Sequence, residues 1–320
     1  MTKLLTWLAT LGFSLAAFAE TSSLSPECQA ALKLQLFLDE QGFGPGPIDG
    51  KFGTFTQKAV ERWQKAGKEP SLNLKSDAPL SLEQLPDQVT SGRSLKSYKI
   101  TEEDLTHVGT VPSSPEEQAK QDHLPYSTAL EALAEKFHAY PSLLEELNPE
   151  ADFSSGSKIM VPDVAQPFEM TKAKDLAEEK ASDQDSNLSL KVLREDEIVE
   201  VYQDGTLVHS FPTTVGEAGN TTPSGKFTVD VVQWMPEFRY DDQMLEEGKR
   251  SSDAHMLPPG PNSPVGIVWI GLSTDGIGLH GTSSPDTIGR SKSHGCIRLT
   301  NWDALTLGQK LTTGTKVEVQ

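Results

Sequence analysis

The sequence predicts a multidomain chain that changes class along its length: a small all-α module, then an α+β module, then a β-rich C-terminal domain. Three observations carry this. Over residues 29–41 apolar side chains recur near helical spacing, at Ala30, Leu34, Phe37 and Leu38. From Leu188 onward apolar and polar residues alternate, the period of strands with one buried face. Between these regions lie charged or Ser/Pro-rich stretches without a period. At 320 residues the chain has room for two or three domains, and a hydrophobic share of 36% is low for one globular unit.

The net charge of −18 argues against nucleic acid or anionic lipid as a partner. The N-terminus reads as a signal peptide over residues 1–19. Lys3 precedes an apolar run from Leu4 to Phe18, and Ala17-Phe18-Ala19 has the A-x-A form of a cleavage site. The expected destination is outside the inner membrane, in the periplasm or cell envelope. The run is short for a span, and no other segment is long and apolar enough, so no stable membrane span is expected. An exported protein can carry disulfides, but only Cys28 and Cys296 are present. Cys28 reads as a small apolar core residue on a helix and Cys296 as a free thiol.

The first module, residues 27–70, continues from its helix into the break 42–47 and the turn Ile48-Asp49-Gly50-Lys51-Phe52-Gly53. Thr54 or Thr56 is expected to cap a second helix through Ala59, Val60 and Trp63. PIDGKFG-x-x-T and AVERWQ within this run resemble the peptidoglycan-binding module of wall enzymes. The resemblance implies glycan binding, with Phe43, Phe52 and Trp63 either lining a sugar face or forming the core of a small fold. Residues 71–97 read as a linker or docking strap. In 98–163, Tyr98-Lys99-Ile100 reads as a strand. Ser127 or Thr128 caps a helix through Leu130, Leu133 and Phe137. Pro141 restarts a second helix that ends at Asn148-Pro149, and Ser157–Pro162 closes as a strand. This order, with its G-x-x-I-x-V-P ending, resembles a LysM domain. It departs from that family by an insertion at 105–123 and by lacking the usual glycine-aspartate-threonine turn. Residues 164–187 read as a charged, solvated helix or tether.

The last domain, 188–320, begins with LSLKVLRE, IVEVYQDG and TLVHSFPTTVG, with Asp204-Gly205 as a hairpin turn. GKFTVDVVQW, VGIVWIGL and GIGLHG continue the series. Residues 302–310 alone read as a helix, and 316–319 as a final strand. Chemistry concentrates in 277–299, which ends in Ser293-His294-Gly295-Cys296-Ile297-Arg298, with His280 sixteen residues before the cysteine. A free cysteine, with a pKa of about 8.5, is mostly protonated at neutral pH and needs a base or cation to become a nucleophile. His294 shares a side with Cys296 on an extended strand, and His280 sits on a neighbouring predicted strand, so spacing leaves both open as the base. Gly295 permits close backbone approach, and the N–H groups of Gly295 and Cys296 are candidates for an oxyanion hole. Arg298 points to the same side as Cys296 and suits a carboxylate, or else a structural ion pair. Ser293 hydrogen-bonds in the site or supports the turn. The rival reading is zinc on His280, His294, Cys296 and His255. No H-E-x-x-H or paired C-x-x-C accompanies them and Arg298 is close, so no metal or cofactor is expected.

The histidine-glycine pair followed by Ser-His-Gly-Cys resembles the L,D-transpeptidase (YkuD-type) signature. Thr222-Pro223-Ser224-Gly225-Lys226-Phe227 and the proline-glycine stretch 258–266 extend the likeness. The resemblance implies Cys296 as nucleophile, His280 as general base, the Gly281 carbonyl as its orienter, and His294 as a pocket residue. It also implies that the insertion 235–257, with Phe238, Arg239, Tyr240 and His255, is a lid whose Tyr240 and His255 bind substrate. The implied activity is acyl transfer on peptidoglycan stem peptides. Cys296 forms a thioester on a tetrapeptide stem and passes it to an amine of another stem, of an envelope protein, or of a free D-amino acid. Acylation of Cys296 by a carbapenem is expected on the same grounds. A hydrolase on the same fold and a non-catalytic wall-binding protein are the alternatives.

Overall fold

The computed structural model describes residues 24–72, 74, 79–178, 187–216, 221–291 and 295–320. The expected signal peptide, Ser293 and His294 lie outside the described residues. Among the described residues no helix is long and apolar enough to cross a membrane.

Ser25 starts the first helix, α1 (Pro26–Glu40), by accepting the Cys28 N–H, with proline in the first turn where its missing donor costs nothing. The glycine-rich turn leads to α2 (Thr54–Lys65) and is organised by Gln35. Its Oε1 accepts the Gly50 N–H at 2.9 Å, and its Nε2 donates to Asp49 Oδ1 at 2.8 Å and Thr56 Oγ1 at 3.2 Å. The expected threonine cap is therefore corrected: Gly53 stands at the cap position, Thr54 is the first helical residue, and the Thr56 hydroxyl serves Gln35. Phe43 and Trp63 are fully buried and pack edge to face at 5.4 Å. They form the module's core, with Phe52 half-buried beside it. The following stretch is a strap. Its short helix α3 (Asp87–Thr90) and the side chains of Leu72, Leu80, Leu85 and Val89 close over that core.

The middle module pairs β1 (Leu95–Lys99) antiparallel with β2 (Lys158–Pro162) around three helices, α4 (Pro115–Gln118), α5 (Ala129–Lys136) and α6 (Pro141–Leu147). Thr128 caps α5 through the Glu131 N–H at 3.1 Å. Asn148 ends α6 by donating to the Leu144 and Met160 carbonyls at 2.8 Å each, which ties the helix end to β2. The strand, helix, helix, strand order is present, with α4 inside the insertion.

The expected tether 164–187 contains α7 (Met170–Glu178), and Phe168, Met170 and Ala173 are buried in the core of the C-terminal domain. The C-terminal domain then runs β3 (Leu188–Leu193), β4 (Ile198–Gln203), β5 (Thr206–Pro212), β6 (Gly225–Trp234), β7 (Phe238–Tyr240), α8 (Asp242–Glu247), β8 (His255–Leu257), β9 (Val268–Leu272), β10 (Gly278–His280), β11 (Ile297–Arg298), α9 (Asn301–Gly308) and β12 (Lys316–Val319). The helix expected at 302–310 is α9, set one residue earlier by the Thr300 cap. Eight strands form one sheet in the order β11-β10-β9-β6-β12-β3-β4-β5. It curls at β6. Residues 225–228 of that strand pair with β12, a bulge follows between Val229 and Val231, and 231–234 continue against β9.

The three modules dock on one another. The loop after α1 lies along the exposed edge of β5: Gly44 N donates to the Ser210 carbonyl at 2.8 Å and Ser210 N to Gly42 at 3.1 Å. Four residues on, the same loop bonds the middle module, with Ile48 N to His138 at 2.7 Å and Tyr140 N to Ile48 at 2.9 Å. On the sheet face the fully buried Glu200 carboxylate meets Arg62 at 3.3 Å and Lys65 at 2.8 Å, both from α2, and the Tyr202 hydroxyl at 2.6 Å.

Candidate active site

Cys296 immediately precedes β11, which runs parallel to β10 with Leu279 opposite Ile297 and His280 opposite Arg298. Residues two apart on a strand, and residues paired across strands, project to the same face. Cys296, Arg298 and His280 therefore share one face of the sheet edge. Gly295, just before the nucleophile candidate, is buried with φ +105°, a backbone state that side chains beyond glycine rarely adopt.

His280 is buried, and its Nδ1 lies 2.6 Å from the Gly281 carbonyl oxygen. A carbonyl only accepts, so Nδ1 carries the proton and Nε2 keeps its lone pair. Burial pulls the imidazole pKa down to about 4, against the Gly281 carbonyl and with the Arg298 charge. The ring is thus neutral at neutral pH and able to take a proton. Trp269 on β9 stacks against it at 5.5 Å and 19°. Gly278 makes room for that indole, since a Cβ there would stand 2.8 Å from Trp269 Cζ2.

The Cys296 thiol donates to the Gly276 carbonyl at 3.4 Å. Burial pushes its pKa up, and the Gly278 N–H and the Arg298 charge pull the other way. Imidazole and thiol are therefore both uncharged at neutral pH. The Arg298 backbone is clamped by Thr214, with N···O distances of 3.0 and 2.9 Å, and by the Thr213 hydroxyl at 2.6 Å. Among the described residues no group of three or more His, Cys, Asp or Glu is placed to hold a metal ion.

The insertion 235–257 folds as a hairpin of β7 and β8 with α8 between, and Tyr240 pairs directly with His255. Asp241 holds it together by accepting from Met244 N, Ser251 N, the Ser251 hydroxyl and Arg239. Burial alone would raise the Asp241 carboxyl, but the Ser251 N–H and Arg239 outweigh it and leave it well below the usual range. The middle module braces this hairpin: α4 packs on β8, and Leu124 N donates to the Pro259 carbonyl at 3.0 Å. Gly260, at φ +152°, is required there because a Cβ would fall 2.1 Å from the Leu124 carbonyl oxygen.

Sequence reasoning singled out neither Trp269 nor Thr213, Thr214, Asn301 and Glu135. Trp269 lies on β9, Thr213 and Thr214 just after β5, and Asn301 at the start of α9, and a linear reading does not supply how these come together. Glu135 lies in another module.

Residues 189–319 match the family described as "L,D-transpeptidase catalytic domain", and residues 29–68 match "Putative peptidoglycan binding domain". The C-terminal domain belongs to the L,D-transpeptidase family. A "Putative L,D-transpeptidase YkuD" of Bacillus licheniformis is 26% identical over 193 residues, covering 59% of this chain and 92% of the relative. A "Probable L,D-transpeptidase ErfK/SrfK" of Salmonella typhimurium is 33% identical over 126 residues, 37% of this chain and 39% of the relative. Among solved structures, an L,D-transpeptidase from Mycobacterium smegmatis aligns over 42% of this chain and 59% of that one, at 20% identity and a TM-score of 0.35. The chain thus carries an L,D-transpeptidase catalytic domain and, before it, a peptidoglycan-binding domain.

Proposed function

We propose that this L,D-transpeptidase is exported to the cell envelope and transfers tetrapeptide stems through a thioester on Cys296. The observation that carries the assignment of the base is the 2.6 Å contact of His280 Nδ1 with the Gly281 carbonyl, which leaves Nε2 free to accept a proton. In the first step Cys296 Sγ bonds to the carbonyl carbon of the L-centre next to the terminal D-residue. The thiol proton passes to His280 Nε2, and the N–H groups of Gly295 and Cys296 meet the developing oxyanion. The bond to the D-residue breaks, and His280 returns the proton to the departing amine. In the second step an acceptor amine bonds to the same carbon, the thioester breaks, and the amine proton returns to sulfur through His280. Arg298 holds a substrate carboxylate, and Tyr240 and His255 on the hairpin contact the acceptor side. The acceptor is a second stem, which yields 3–3 crosslinks, or a lysine of an envelope protein. The LysM-like middle module and the peptidoglycan-binding module hold the enzyme on its polymer.

The test is mass spectrometry of tetrapeptide muropeptides incubated with residues 20–320, beside Cys296→Ala. A dimer formed with loss of the terminal D-residue, absent in the control, is the expected result. Shortened monomers alone would turn the reading to a hydrolase on the same fold. The absence of any Cys296 adduct would reduce the protein to a wall-binding one.

A further inference from the structure

Asn301 is the first residue of α9 and is fully buried. Its side-chain amide ties together three separate segments. Oδ1 accepts the Ile267 N–H at 3.3 Å, and Nδ2 donates to the Thr282 carbonyl at 3.1 Å and to Glu135 Oε1 at 2.9 Å. Gly266 and Gly281 lie directly on this amide, since a Cβ on either would fall 2.0 Å from Asn301 Oδ1. Gly281 and Thr282 are the two residues after His280, and the Gly281 carbonyl holds the imidazole.

Glu135 comes from α5 of the middle module, yet its carboxyl is buried against the catalytic domain. The Tyr126 hydroxyl, from the same module, donates to its other oxygen. A lone asparagine amide can turn over and exchange its donor and acceptor ends. A carboxyl oxygen that accepts forbids this: Nδ2 must face Glu135, so Oδ1 must face Ile267. The Thr282 carbonyl and the Ile267 N–H ask for the same orientation from within the C-terminal domain, and Glu135, the shortest of these contacts, reinforces it from the middle module.

We propose that Glu135 is a positioning residue for the transpeptidase reaction, acting through Asn301 on the backbone that sets the tautomer and angle of His280. The docked middle module thereby completes the active site. This rests on the reading of His280 as the base. Burial pushes the Glu135 carboxyl up to about 7, so a neutral amide is a fair replacement for it. Gln can accept from Asn301 and donate to the Tyr126 oxygen, whereas Ala can do neither.

The experiment uses the full mature chain. Steady-state crosslinking is measured for wild type, Glu135→Ala and Glu135→Gln, and the His280 ring nitrogens are observed by NMR, assigned with His280→Gln. Misplacing a catalytic group slightly costs about ten- to a hundred-fold. Glu135→Ala should lose at least tenfold in kcat with KM within about twofold, and its His280 signals should average between tautomers. Glu135→Gln should recover most of the rate and the Nδ1-protonated signature. A cooperatively folding Glu135→Ala with kcat within twofold of wild type and an unchanged tautomer overturns the proposal. If that variant does not melt cooperatively, Tyr126→Phe replaces it, and an unchanged kcat and His280 spectrum there overturn the proposal equally. A wild type that makes no product overturns the functional reading alone, and the His280 spectra still decide the positioning role.

Discussion

At the scale of residues, burial holds His280 and Cys296 uncharged. With His280 as the proposed base, the rate depends on keeping its ring unprotonated. Its pKa near 4 places protonation well below neutral pH. Carbapenem acylation of Cys296 should therefore be flat from about pH 5 to 8 and fall on the acid side with a midpoint near 4. A midpoint between 6 and 7 would mean an exposed or ion-paired histidine. Stopped-flow fluorescence across pH gives the answer. Trp269→Ala removes the stacked indole and admits water to the ring, so the same midpoint should move upward, toward the ordinary histidine value.

At the scale of elements, the β7–α8–β8 hairpin depends on one carboxylate. Asp241 receives two backbone N–H groups, a hydroxyl and a guanidinium, and no other side chain described in the hairpin gathers as many donors. Asp241→Ala should leave the sheet intact and open the hairpin. Limited proteolysis should then cut within 235–257 several-fold faster than in wild type, and the choice of acyl acceptor should broaden. Unchanged cleavage sites and product profile would remove the hairpin from acceptor selection.

At the scale of the whole molecule, the three modules share buried polar groups. Glu200 of the sheet is enclosed by Arg62 and Lys65 of the first module. Glu200→Ala removes one partner of the largely buried Arg62, which keeps Asp196 and Glu61, so the cost should be on the order of 1 kcal/mol. Thermal unfolding should show it, with the first module separating before the catalytic domain. A second junction joins Asp39 of α1, His138 of the middle module and Asp303 of α9. His138 contacts Asp39 at 3.0 Å and stacks on Trp302, and Asp303 Oδ2 is buried without a hydrogen-bond partner among the described residues. Burial and the Asp39 charge push the Asp303 carboxyl up to about 7, while the Thr300 hydrogen bond and His138 pull it down. Between pH 4 and 7 the folded chain keeps a proton there that the unfolded chain has released, so this group makes stability fall as pH rises through that window. Asp303→Asn should remove that loss, gaining on the order of 2 kcal/mol on wild type at pH 8 relative to pH 5. Denaturant midpoints at the two pH values test it. Between β10 and β11, Gly289 lies against the Phe55 ring of α2, where a Cβ would fall 1.9 Å from Cζ.

Much of this was local and therefore legible in the linear chain. Period-two alternation, the Asp-Gly turn, the Thr128 cap and the helix at α9 each depend on neighbours within a few residues. So does the need for glycine before Cys296, and the motif carried the family with it. Which of His280 and His294 is the base was left open by spacing alone. The structure supplies the Gly281 contact, the burial and the register opposite Arg298 for His280, while His294 lies outside the described residues. The threonine cap of α2 was misread because Gln35, nineteen residues before Gly-Thr54, claims the Thr56 hydroxyl. Phe43 and Trp63 were ambiguous between sugar face and core because composition does not say which side of a small fold is covered; burial makes them core. By itself the sequence determined the helical and β-rich classes of the first and last modules and the family of the last, since propensity, turn geometry and a short motif act over short spans. Tertiary structure alone decided that the modules dock and that Glu135 and Asn301 stand behind His280, because the Asn301–Glu135 contact joins residues 166 positions apart through burial that no local pattern encodes.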